Sequence, residues 1–269
     1  MGERGSISSF LKGKKIAIYG IGYVAQKFYH ALIAQGLGNN VEYFIVSQRM
    51  DEQTAMNGID VRVIQELKVG DDAMICIAVH ETTKKEIEKL LENKNIKNYI
   101  WISPYDLAEL FYGKPKEEAV PTSVNKIICS CKDYRFAVKY LAIENYFGKN
   151  DYGYDIYLKA QQLHCGKQTA TKRLNAFLDL IDNWERFGYQ PDSRILLDEN
   201  YEVLDGAHRT ILAKYFNIGK VSCDMFDSAQ CHFDWHGSNV RLTRAKLSEG
   251  EFSGIELAAI EEAFARIQL

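Results

Sequence analysis

The chain of 269 residues predicts an α/β protein of two domains: a parallel sheet wound with helices, then an α+β domain. Short apolar runs alternate with helical stripes through residues 15–102, the pattern of βαβ units. Three of the four prolines, Pro104, Pro115 and Pro121, fall close together around a charged stretch that breaks this alternation. Beyond it helical stripes come first, and an apolar hairpin and one more strand follow. Domains usually run to about 100–150 residues, so two are expected rather than one. The expected boundaries are 1–112, a linker over 113–126, and 127–269.

Composition narrows the partners. The formal net charge is −3, which leaves no broad basic field for a nucleic-acid backbone. No apolar run approaches the roughly 18 residues of a membrane span, and Met1 to Lys15 does not read as a signal peptide. The six cysteines have no framework spacing. A cytoplasmic protein with reduced thiols is the expectation, without nucleic-acid or membrane partners and with self-association left open.

In the first half, Lys15 to Tyr19 reads as a strand. A helical face of Val24, Phe28, Ala31 and Leu32 follows, closed by Gly36 and Gly38. Val41 to Ser47 is a second strand, and Asn57-Gly58 turns the chain into a short piece at Val61 to Ile64. Ala73 to Val79 is continuously apolar, as in strands covered on both faces. Thr83 with Glu86 predicts a capping box for a helix carrying Ile87, Leu90 and Leu91. Tyr99 to Ile102 is the last strand, stopped at Pro104.

The first strand runs into Gly20-x-Gly22-x-x-Ala25 and then a helix, the sequence and context of a dinucleotide-binding corner. An acidic residue is expected at the end of the second strand to bond a ribose, but Val46-Ser47-Gln48-Arg49 stands there and Asp51 comes late. NAD is therefore disfavoured, and Arg49 leaves a phosphorylated ligand open. Alternatively, the glycines serve only close packing of helix on strand. Residues 13–112 resemble the Rossmann-like domains of bacterial polysaccharide-biosynthesis proteins, such as the N-terminal domains of sugar acyltransferases. That resemblance implies a nucleotide or ligand site at Gly20, Gly22 and Ala25.

In the second half, Ile127 and Ile128 predict a short strand. Tyr134, Ala137, Val138, Leu141 and Ala142 form a helical stripe ended by Gly148. Asp155 to His164 is a further helix, and another from Thr171 carries Leu174, Phe177, Leu178, Ile181 and Trp184. Ile195 to Leu197 and Tyr201 to Leu204 flank a polar link, which predicts a hairpin. Directly after it, Asp205-Gly206-Ala207-His208-Arg209 opens a helix bearing Ile211, Leu212, Tyr215 and Phe216. Val221 to Phe226 is another strand. Ser253-x-x-Glu256 caps a last helix with Leu257, Ile260, Phe264 and Ile267.

An Asp, a Gly, a His and an Arg thus meet at a strand-to-helix corner, where orphan N–H groups favour an anion. Arg209 offers a fork for phosphate, His208 a donor and Gly206 close backbone approach. Asp205 is a candidate Mg²⁺ ligand or base, and equally a turn or cap residue. Residues 170–226 resemble the ParB/sulfiredoxin superfamily, in which a hairpin leads into a Gly-x-His-Arg or Gly-Glu-Arg-Arg corner. The resemblance implies that Gly206, Ala207, His208 and Arg209 bind nucleotide phosphates. Ala207 replaces the nucleophilic cysteine of sulfiredoxin; against ParB, Ala207 and His208 replace the glutamate and the first arginine, and no basic downstream domain is read. The free serine kinase pattern, Asp-Gly-His-His-Arg, shares Asp205, Gly206, His208 and Arg209.

An ATP- and Mg²⁺-dependent phosphotransferase is expected, with Asp205, His208 and Arg209 as its catalytic residues. Its substrate would be a small amino acid or sugar derivative, the latter in surface-polysaccharide synthesis as the resemblance implies. A nucleotide-binding regulator without turnover is the alternative, and an NAD(P)-dependent oxidoreductase a weaker one. His164-x-x-Lys167 and Arg173 add positive charge, as a pocket or as a solvated helix end. Glu144 and Glu185 are candidate carboxylates, while Asp198 and Glu199 read as turn residues. Cys223, Cys231, His232 and His236 match no familiar zinc spacing, nor does Cys129-x-Cys131. Trp235 and His236 read as part of a loop beside the nucleotide corner.

Overall fold

The computed structural model describes residues 6–48, 54–67, 72–228 and 241–269. The chain separates into two compact units at Lys114/Pro115, and each is α/β in composition.

The first unit opens with helix α1 (Ile7–Leu11). Strand β1 (Ile16–Tyr19) is fully buried, as its unbroken apolar run requires. It leads into α2 (Tyr23–Ala34), which buries Ala25, Phe28, Ala31 and Leu32. There follow β2 (Val41–Val46), the hairpin β3 (Ala55–Met56) and β4 (Ile59–Val63), and β5 (Met74–Ile77). The unit ends with α3 (Glu81–Asn93), β6 (Tyr99–Trp101) and α4 (Pro104–Tyr112). Among the described residues the sheet runs β3-β4-β2-β1-β5-β6. Only β3 is antiparallel, turned by Asn57 and Gly58, both at positive φ. Two local expectations are corrected. His80, not Thr83, caps α3, its Nδ1 accepting from the Thr82 N–H. Pro104 follows the end of β6, as expected, but it also starts a helix that was not expected, α4, at a first-turn position where its missing N–H does no harm. Ser103 and Asp106 cap that helix reciprocally.

In the second unit, residues 113–126 are not a linker. Glu117–Ser123 forms β7, and Val124–Cys131 forms α5 in place of the strand expected at Ile127–Ile128. β7 is a mostly exposed edge strand, a position that tolerates Pro121 and many charges. Its low apolar content is what reads as a linker. Val124, Ile127 and Ile128 are buried together at helical spacing. Next come α6 (Tyr134–Tyr146), α7 (Gly153–Gln162) and α8 (Lys167–Phe187). The hairpin β8 (Ile195–Asp198) and β9 (Val203–Asp205) leads into α9 (Ala207–Tyr215). β10 (Lys220–Phe226), α10 (Arg244–Glu249) and α11 (Gly254–Gln268) complete the unit. The four strands run β7-β10-β8-β9, with only β10 and β8 parallel.

Helix α6 is buried almost all round, which makes it the central helix of this unit. It packs on α7, α9 and α11. Two charged side chains on it, Lys139 and Glu144, are therefore buried. Among the described residues no helix is long and apolar enough to cross a membrane.

Candidate functional site

In the first unit the strand order reverses at β1, which lies between β2 and β5. Gly20 and Gly22 stand just past its carboxyl end, where open parallel sheets commonly bind ligands. The two glycines do different work. Gly20 has φ +116, and its N–H donates to the Ile45 carbonyl at 2.8 Å. A Cβ on Gly20 would stand 2.9 Å from the Ala78 carbonyl oxygen and 3.4 Å from the Cβ of buried Ala25. Chain packing alone demands that glycine. Gly22 begins α2 with no side-chain cap and has open space around its Cβ position. Gly20→Ala should therefore destabilise by about 2 kcal/mol or more, through the left-handed φ and the backbone contact. Gly22→Ala should stay within about 0.5 kcal/mol, and urea denaturation of both variants measures the difference. At the end of β2 the expected acid's place is held by Ser47, whose Oγ lies 2.8 Å from the Tyr19 hydroxyl. Arg49 and Asp51 lie outside the described residues.

In the second unit, Gly206 takes φ +102 between β9 and α9 and leaves the helix without a side-chain cap. A Cβ there would press on Ile195 and on Nη2 of Arg209. The first helical bond runs from the Thr210 N–H to the Gly206 carbonyl at 2.9 Å. Ala207, in the first turn, packs against the core. His208 is fixed from two sides. Its Nε2 lies 2.9 Å from the Tyr157 hydroxyl, and its ring centroid lies 4.4 Å from that of Phe177. Burial raises the Tyr157 pKa, so the phenol stays neutral beside the imidazole.

Arg209 departs from its expected role as an open phosphate fork. Its Nη1 donates to the Arg194 carbonyl at 2.7 Å and to Ser193 Oγ at 3.0 Å. Its Nη2 donates to Asp205 Oδ2 at 2.7 Å. Both terminal nitrogens are thus engaged within the protein, fastening the first turn of α9 to the start of β8. Asp205 is bound by the same contact, and among the described residues no group of three His, Cys, Asp or Glu side chains is placed to hold a metal.

The remaining candidates divide in the same way. Asp198 is a turn residue: its Oδ1 accepts from the N–H groups of Asn200 and Glu202 at 2.9 and 2.8 Å. Glu199 accepts from Ser228 through both oxygens. Glu144 receives a bidentate pair from Arg266 at 2.8 and 3.2 Å, a fastener between α6 and α11. Glu185 is exposed on α8. Burial pushes the Cys131 thiol up to about 12 and that of Cys223 up to about 11, so neither is a ready thiolate. Cys231, His232, Trp235 and His236 lie outside the described residues.

One grouping was only partly legible in the sequence, which offered His164 and Arg173 as pocket charges but not Arg135, Lys139 or Lys246. His164 and Arg173 come together with Arg135, Lys139 and Lys246 beside a small open pocket. Arg135, Val138 and Lys139 of α6 line it, together with Ala160 of α7, His164 and Leu242. Gln161 also lines this pocket and accepts from Arg173 Nη1 at 2.9 Å. Lys167, at the start of α8, is exposed. The available signal was Arg135-x-x-x-Lys139, a cation pair at helical spacing within an apolar stripe.

These features define an α/β protein with uncapped helix starts at Gly22 and Gly206. A scan of protein-family models and searches of curated proteins and of solved structures return no match for this chain.

Proposed function

We propose that the second unit is a phosphotransferase domain of ParB/sulfiredoxin type, which takes ATP at the Gly206–Arg209 corner and acts on a small metabolite. The observation that carries this reading is the uncapped start of α9 at left-handed Gly206, with His208 held in its first turn. A helix start of this kind favours phosphate through its N–H groups and its dipole. His208, fixed by Tyr157 and Phe177, is the residue to exchange a proton or hydrogen bond with a phosphate oxygen. Arg209 acts from behind as a positioning residue, shaping the turn and orienting Asp205. Asp205 is half-exposed and is the carboxylate offered to Mg²⁺ or to a substrate hydroxyl. ATP supplies the phosphoryl group when bound, and Mg²⁺ screens its charge. The resemblance of the first unit to domains of polysaccharide-biosynthesis proteins supports a sugar or amino-acid derivative as substrate.

The test is incubation of the full chain with ATP, Mg²⁺ and a panel of amino-acid and sugar derivatives, alongside calorimetry with ATP. Substrate-dependent ADP release is expected, and His208→Ala should weaken ATP binding by about tenfold or more. An absence of both binding and ADP release overturns the reading. One observation favours a nucleotide-responsive regulator instead: the Asp205–Arg209 pair at 2.7 Å already satisfies the candidate base. ATP binding without turnover across the panel would select that second reading.

A further inference from the structure

The buried charges of α6 are treated unequally. Glu144 is matched by the Arg266 guanidinium. Lys139 is only 4% exposed, and among the described residues its Nζ makes one hydrogen bond, a long 3.5 Å contact to the Arg135 carbonyl of its own helix. An ammonium carries three donors, so this contact leaves most of its capacity unused. Two neighbouring donors are also unmatched: Arg173 Nε and Lys246 Nζ are buried with no hydrogen-bond partner. Among the described residues, Asp133 is the carboxylate that acts on Lys139, and it is already spent. Its Oδ2 accepts from Arg135 at 2.6 Å, and its Oδ1 from the backbone N–H groups of Arg135 and Leu242.

Native proteins rarely leave buried donors unmatched, and a cluster of them of one sign points to a missing anion. We propose that the pocket between α6 and the end of α7 is an oxyanion site that takes the phosphate group of a phosphomonoester, held by Lys139 and Arg135 of its wall, with the charges of Arg173 and Lys246 beside it. A phosphate is favoured over a carboxylate because it carries about 1.5 to 2 negative charges and three strong acceptor oxygens. Lys139 and Arg135 line the pocket, while Arg173 and Lys246 add positive charge beside it. Burial and the neighbouring cations both act to lower the proton affinity of Lys139 and of His164, the electrostatic mark of a site short of negative charge. The site does not depend on whether the Gly206–Arg209 corner binds nucleotide.

Inorganic phosphate is the probe, added to the full chain at pH 7 and constant ionic strength, with chloride and acetate as comparisons. Phosphate at a hundredfold excess over its Kd should raise the Tm by roughly 5 to 10 °C. Arg173→Gln and Lys139→Met should each abolish most of that rise. Lysine-selective NMR of the wild type should show Lys139 titrating at higher pH once phosphate is bound. An equal rise with chloride or acetate overturns the proposal. So does a rise that persists in both variants, or one that leaves the Lys139 titration unmoved.

Discussion

Lys139→Met should raise the stability of the second unit at pH 7 in phosphate-free buffer, by about 3 kcal/mol or roughly 6 to 12 °C in Tm. The lysine is buried on the central helix, and burial first, then Arg135 and Arg173, bring its pKa from 10.5 down to about 7, with Asp133 opposing. Methionine keeps the length of the side chain and removes the charge, so packing is disturbed little. The same shift fixes a pH profile. Below about pH 7 both folded and unfolded chains hold the proton, and the full penalty of the buried charge applies. Between about 7 and the ordinary lysine value, the unfolded chain keeps a proton that the folded chain has released, so stability rises with pH. His164, also lowered by burial and by nearby cations, contributes with the same sign at lower pH. Urea denaturation from pH 6 to 10 should show the rise in the wild type and its loss in Lys139→Met. A variant less stable than the wild type at pH 7 would contradict the assignment. A residue that lowers stability is retained where it serves a ligand.

Gly153→Ala should act in the opposite direction, lowering stability by about 3 kcal/mol or more. Gly153 opens α7 directly against the backbone of α6, and a Cβ there would run into the Leu141 carbonyl. The contact cannot relax cheaply, because two asparagines lock the crossing. Asn150 accepts from the Gly153 N–H at 2.8 Å and donates to the Leu141 carbonyl at 3.1 Å. Asn145 donates to the Asn150 carbonyl and accepts from the Tyr154 N–H, at 2.8 and 2.9 Å. Pushing α7 outward would move Tyr157 away from His208, and would move Gln161 and the pocket wall away from Lys139. The expected result is a Tm lower by about 10 °C, with phosphate binding lost in parallel. A substitution tolerated without loss of stability would show that α6 and α7 have slack that this packing lacks.

Local pattern carried the reading of the chain a long way, and its failures share a cause. Apolar runs located β1, β2, β5 and β10, and turn residues located the β8–β9 hairpin and the Asn57-Gly58 turn. β7 was missed because an edge strand needs little apolar surface and takes its order from pairing with β10. The α4 helix was missed because proline, read as a stop, also serves as a start once Ser103 and Asp106 close the cap.

The Asp205–Arg209 motif shows where local reading ends. Its residue types and its place between β9 and α9 followed from the chain itself, since glycine alone accepts φ +102 there without strain. The direction of the Arg209 guanidinium did not, because Ser193 and Arg194 reach it only once β8 lies beside β9. Lys139 likewise lies within the helical stripe of residues 134–142, where spacing gave it no distinction. Burial of most of the circumference of α6 depends on α7, α9 and α11 together, and only that packing turns an ordinary lysine into a buried charge beside unmatched donors.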